Sequence, residues 1–169
     1  MPTIRTRTLL IPLLVLLTTV LAGCFETTLN LGSADNAKVN VKYCGDWHFA
    51  AEGGGDTADL TVRNFDGKQY YVEWLDNEKK RSRMSAFMVK IKDADFAQLT
   101  ELADDGSLQS KHLILRAQLD GDKLTLRNLK EDFFAGVTTD EQLRKRVEEN
   151  LDNAAMYEDT MTGTRAAVQ

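Results

Sequence analysis

The sequence predicts a mainly β fold: a small antiparallel meander closing into a barrel, followed by one C-terminal amphipathic α-helix. Three observations carry the prediction. Short runs of alternating apolar and polar residues fill positions 39 to 129, and a period of two marks a strand with one buried face. Turn signals cut those runs at regular intervals, with Asp-Gly pairs at Asp66-Gly67 and Asp120-Gly121, the strongest short hairpin signal. Beyond residue 138 the period changes, and Leu143, Val147 and Leu151 recur at i, i+4 and i+8 as on one face of a helix.

Taken in order, Leu60 and Val62 alternate with Thr61 and Arg63 before the turn Asn64-Phe65-Asp66-Gly67. The next run places Tyr70, Val72 and Trp74 on one face and Tyr71, Glu73 and Leu75 on the other. Asp76 to Lys80 turns the chain, and Lys79-Lys80-Arg81 with Arg83 forms the one basic cluster, read as a solvated hairpin tip ahead of an anion or lipid-headgroup site. Phe87, Val89 and Ile91 then oppose Met88, Lys90 and Lys92. Phe96 to Leu102 reads as a strand, with a helical turn as the alternative. Leu113, Leu115, Ala117 and Leu119 share a face, and Leu124 and Leu126 point inward from the following run. Some seven strands joined by short turns form a meander, and closing the sheet removes its edges. Thr138 and Thr139 are candidate caps for a helix over about 139–151. The segment MTGTRAA near the C-terminus is a candidate last strand.

The first two dozen residues belong to a different class. Arg5 and Arg7 precede an almost wholly apolar run from Leu9 to Ala22, the layout of an export signal. The run is shorter than the ~20 apolar residues that span a bilayer, and Pro12 interrupts it as a helix. Leu21-Ala22-Gly23-Cys24 resembles the lipobox of bacterial lipoproteins at all four positions. The resemblance implies diacylglyceryl transfer to the Cys24 thiol, cleavage between Gly23 and Cys24, and acylation of the new amino group with chains such as palmitate. Phe25 stands where Asp favours inner-membrane retention in enterobacterial lipoproteins, so the expected address is the outer membrane, facing the periplasm. The domain plan is then a signal peptide over 1–23, a lipidated tether over 24–38 and a β-barrel-like domain over 39–169. Residues 25–38 are rich in Thr, Asn, Ser and Asp, and their few apolar side chains are not expected to offset the entropy of ordering them.

Removing residues 1–23 from the 169-residue chain leaves 146, enough for one core. It also removes two of the 21 basic side chains, so 19 face 26 acids and the formal charge is −7. That balance argues against nucleic acid, whose phosphates need clustered cations. Export places the domain in an oxidising space, yet with Cys24 committed to lipid, Cys44 has no intramolecular partner. A buried, inert thiol is the expectation for it.

Gly45-Asp46-Trp47 heads the β region and is similar to the Gly-x-Trp that opens the first barrel strand of lipocalins. The resemblance implies a lipocalin-like barrel, with Trp47 closing one end and an Arg from a late strand packing across its indole. Arg127, in the strand-like KLTLRNL, is the candidate for that barrel-closing pair with Trp47. The strands occupy only about ninety residues, fewer than a full lipocalin uses, and Gly53-Gly54-Gly55 shortens the first connection. A barrel this tight is expected to be filled by its own side chains. Lipobox, Cys-Gly-x-Trp, meander and C-terminal helix together resemble small uncharacterised bacterial lipoproteins of lipocalin-like form, a likeness that brings no activity with it. Tyr43-Cys44 is also similar to the early Tyr-x-Cys segment of lipid-anchored lysozyme inhibitors, but their Ser- and Gly-rich inhibitory loop and their second disulfide cysteine are missing. Enzyme inhibition is therefore a minor alternative.

No catalytic motif emerges. His48 and His112 lack HExxH or paired-His spacing for zinc, and there is neither a nucleophile elbow nor a phosphate loop. Asp104-Asp105, Glu131-Asp132 and Glu148-Glu149 are expected to be solvated, because acid–base work needs a cleft that separates pKa values. No cofactor or metal beyond the covalent lipid is expected. Two function classes follow. One is a membrane-anchored binding or envelope-interaction module, acting through its surface or through a protein partner on the C-terminal helix. The other is a lipocalin-like carrier of a small apolar ligand. An interior packed solid with Leu, Val, Phe, Trp and Tyr favours the first.

Overall fold

Alternation along the chain becomes a closed sheet. The computed structural model describes residues 25–50 and 57–167; the signal peptide, the cleavage site at Gly23 and Cys24, and the loop at Gly53-Gly54-Gly55 lie outside the described residues. The chain forms β1 (Glu26–Thr27), β2 (Gly45–Ala50), β3 (Thr57–Asn64), β4 (Tyr70–Leu75), β5 (Arg81–Ile91), β6 (Ala94–Leu102), β7 (Leu108–Asp120), β8 (Lys123–Leu129), helix α1 (Asp140–Glu149) and β9 (Tyr157–Arg165). Strands β2 to β9 pair antiparallel around a full circuit, closed by β8 with β9, β9 with β2 and β7 with β8. Strand β1 lies outside the barrel and pairs with β7 through Glu26 to Leu113 and Thr27 to His112. No described helix is long and apolar enough to cross a membrane.

The seven strands expected between 39 and 129 are β2 to β8, residues 96–102 belong to a strand, and the C-terminal segment returns as β9. Closure follows from that return, since β9 bridges β8 and β2 and covers edges that would otherwise invite another chain.

Period-two alternation sorts the core into two clusters. The inward set includes Trp47, Phe49, Leu60, Val62, Tyr70, Val72, Leu99, Leu115 and Leu126. The outward set includes Ile91, Phe96, Ile114, Leu129 and Tyr157, and α1 covers it with Leu143 and Val147, joined by Leu151 just past the helix. Thr139 caps that helix, its hydroxyl accepting from the Gln142 N–H at 3.2 Å. Arg116 donates to the Leu151 carbonyl at 2.7 Å, and Lys92 to that of Glu148 at 3.1 Å. The Glu148 carbonyl is a helix-end acceptor left without an intrahelical donor, and that of Leu151 lies just past the helix.

Residues 25–38 overturn the expectation of a free tether. Phe25 and Leu31 are buried in the outer cluster, and the Phe25 ring lies 4.8 Å from that of Phe134. Leu31 donates its N–H to buried Gln98 at 2.9 Å and accepts from Arg144 at 3.1 Å, while Asn30 donates to Asp140 at 2.8 Å. The segment is a strap. It is ordered because Phe25, Leu29 and Leu31 fall on an apolar surface that β5, β6, β7 and α1 have already built, so three side chains outweigh what their own composition suggests.

Candidate ligand-binding cavity

One end of the barrel is sealed. The 3₁₀ turn Val41–Tyr43, capped by Asn40, crosses this end just before β2. Trp47 donates its indole N–H to the Tyr43 carbonyl at 3.0 Å, and the Tyr43 hydroxyl donates to Asp95 at 2.9 Å. Lys90 approaches the same carboxylate at 3.7 Å. The Tyr70 hydroxyl accepts from the Asn40 N–H at 2.7 Å and donates to the Asn40 carbonyl at 3.3 Å. Burial and then the Asp95 hydrogen bond hold the Tyr43 phenol above its ordinary pKa, and burial raises Tyr70 against the Asn40 hydrogen bond. Both phenols thus stay neutral and are already engaged.

The cation over Trp47 is Arg165, not Arg127. Its guanidinium carbon lies 4.1 Å from the indole ring, and it donates to the carbonyls of Cys44 and Lys42, both at 2.8 Å, and to Asp122 at 3.1 Å. Register explains the correction. Trp47 and Arg165 are direct partners across β2 and β9, so their side chains leave the same face of the sheet. Arg127 alternates outward from the inward pair Leu124 and Leu126, and lies 4.0 Å from the Tyr157 ring instead. The glycine of Gly-x-Trp has a matching cause. Gly45 has a φ of +150°, and a Cβ there would collide with the Arg165 guanidinium.

Above this floor the barrel is hollow. A cavity of about 370 Å³ runs from Tyr43 past Val72, Ala86 and Leu115 to Trp74 and Ser82 near the other end. The expected solid interior is therefore not found. Ala86, Ala97 and Ala117 occupy inward positions where larger residues would meet across the barrel, and Met84, Met88 and Met161 line the wall with unbranched chains. Gly163 offers no side chain and lodges the Phe49 ring, whose edge stands 2.7 Å from where its Cβ would be. Among described side chains, polar groups on the wall are few: Ser82 and Asn128 towards the end opposite the floor, and the two engaged phenols at the floor. The described walls thus offer shape and an almost wholly apolar surface.

The remaining sequence candidates lie elsewhere. His48 pairs with Asp59 at 2.7 Å on the exposed face, and His112 contacts the Thr100 hydroxyl at 2.8 Å outside the barrel. Asp104-Asp105, Glu131-Asp132 and Glu148-Glu149 are exposed. Lys79, Lys80, Arg81 and Arg83 form an exposed hairpin end, where Arg81 meets Glu73 and Arg83 meets Asp104, each at 3.4 Å. Cys44 is a half-buried free thiol packed against the inner cluster. The apolar stripe of α1 is spent on the barrel, which leaves its charged face to solvent. Sequence reasoning missed Arg165 and the inward Ala86 and Ala97, and placed Ala117 on the apolar face of its strand without the space it leaves. A late Arg in the candidate last strand was the available signal for the first. No family model, curated protein or solved structure matches the chain.

Proposed function

We propose that the protein is a lipoprotein of the bacterial envelope, anchored through Cys24 to the outer membrane and facing the periplasm, whose barrel carries a small apolar ligand. The observation that carries this reading is the 370 Å³ cavity with almost wholly apolar walls, at the small end of the ~300–1,000 Å³ typical of ligand sites. At ~30 Å³ for each water-sized group, it accommodates on the order of a dozen non-hydrogen atoms. An unbranched chain suits the shape, because Met-lined walls adapt to flexible aliphatic ligands. The lipobox supports the address. The carrier reading stands ahead of an interaction module because α1 has no apolar stripe left to offer a partner.

Displacement of a fluorescent apolar probe by straight-chain fatty acids of increasing length tests this reading. Each methylene contributes ~0.8 kcal/mol, about fourfold in affinity. Affinity should climb at that slope and level off near ~12 carbons. Failure of every chain length to displace the probe saturably refutes it.

A further inference from the structure

The strap changes what a lipid at Cys24 would do. A flexible tether of some fourteen residues has a reach of ~20 Å and would leave the barrel free to tumble above the bilayer. Instead the chain is fastened from its first described residue. Phe25 is buried against Phe134, and Glu26 and Thr27 pair with Leu113 and His112. The place where it is fastened matters. Leu113 lines the cavity, and the next inward residue of β7, Leu115, pairs with Asn128, another lining residue, at the point where β8 ends. Strand β7 exchanges its partner there, from β8 to β1. Phe25 therefore lies on the outer wall of the barrel, at the height where β8 ends and close to this rim, and one peptide unit of ~3.8 Å separates its Cα from that of Cys24.

We infer that the lipid anchor holds this rim of the barrel against the bilayer, so that the cavity exchanges its ligand with membrane hydrocarbon without passage through bulk water. The inference rests on the carrier reading and on lipidation of Cys24. Its physical advantage is kinetic. Escape of an aliphatic chain into water becomes roughly fourfold harder with each methylene, and a mouth held at the membrane surface avoids that step while leaving the equilibrium occupancy unchanged.

Trp74 on the cavity wall supplies the readout. The full chain, lipidated in a bacterial host, is reconstituted in phosphatidylethanolamine–phosphatidylglycerol vesicles at large lipid excess and mixed rapidly with 12-bromododecanoate, which partitions into those same vesicles and whose bromine quenches tryptophan. A second protein carries twenty Gly/Ser residues inserted between Cys24 and Phe25, a spacer with an r.m.s. length of ~25 Å. The direct-anchored protein should quench at least tenfold faster, with the same final quenching in both. Equal rates overturn the inference while leaving the carrier reading intact. Absence of quenching in both proteins, even with bromododecanoate added free in solution, overturns the carrier reading and the inference with it. A product whose mass shows no lipid on Cys24 removes its anchor and overturns it as well.

Discussion

Replacing Ala86 by Phe places a ring inside the cavity, beside Tyr70 at its floor. Ala86 is buried on the inner face of β5, opposite Leu99 of β6 and Tyr70 of β4. The added ring brings about six carbon atoms, which at ~30 Å³ each fill ~180 Å³, close to half of the 370 Å³ present. A chain that had used the whole cavity loses room for about six methylenes, or ~5 kcal/mol at ~0.8 kcal/mol each, more than a thousandfold in affinity. Stability should move the opposite way. Filling empty space recovers at most ~4 kcal/mol at ~24 cal/mol per Å³, from which overpacking strain subtracts ~1–3 kcal/mol. The ligand-free variant is thus expected to melt at or above the parent temperature while fatty-acid affinity collapses. Calorimetric titration and thermal melts on the same preparation decide it. Unchanged affinity refutes the assignment of the site, and a lower melting temperature with affinity retained refutes the cavity itself.

Three further outcomes follow from the same contacts. Arg165→Met removes the cation over Trp47 and two hydrogen bonds to the Lys42 and Cys44 carbonyls, and should lower stability in urea by ~2–4 kcal/mol, about twice the loss from Arg127→Met; equal losses would count against Arg165 as the closing residue. Phe25→Ala should cost ~3 kcal/mol because Phe25 is buried against Phe134, whereas a free tether predicts no change in the urea midpoint. His112 is held below its ordinary pKa of 6.5 by burial, against a smaller opposing pull from Asp140. The unfolded chain therefore binds this proton more readily than the folded one, and the contribution of neutral His112 is present above ~6.5 and declines as pH falls through that window. His112→Gln should flatten the pH dependence of the urea midpoint there, and an unaltered slope would contradict the shift.

Local physics made most of the architecture legible. Alternation in YYVEWL and HLILRAQL reports which side of a sheet is buried, and Leu143, Val147 and Leu151 report the helix face, because each pattern is set by backbone geometry within a few residues. Features that depend on distant register were not legible. Arg127 and Arg165 are equivalent as sequence candidates, and only the pairing of β9 with β2 selects Arg165. The strap looked too polar to fold because its partners, Phe134, Gln98 and Arg144, are contributed by remote segments. The cavity was the largest miss. Ala86 and Ala97 read as ordinary strand residues, and Ala117 as one member of an apolar face, until closure sets all three on the inner wall, where small side chains leave space that strand length alone does not reveal.

The measurement that bears most directly on the carrier reading is native mass spectrometry of the chain purified, without refolding, from the organism that produces it. A non-covalent adduct of a single aliphatic species is expected, of on the order of a dozen non-hydrogen atoms, retained by the parent and lost in Ala86→Phe. A ligand-free mass for the parent, unchanged after incubation with excess dodecanoate, would contradict the reading.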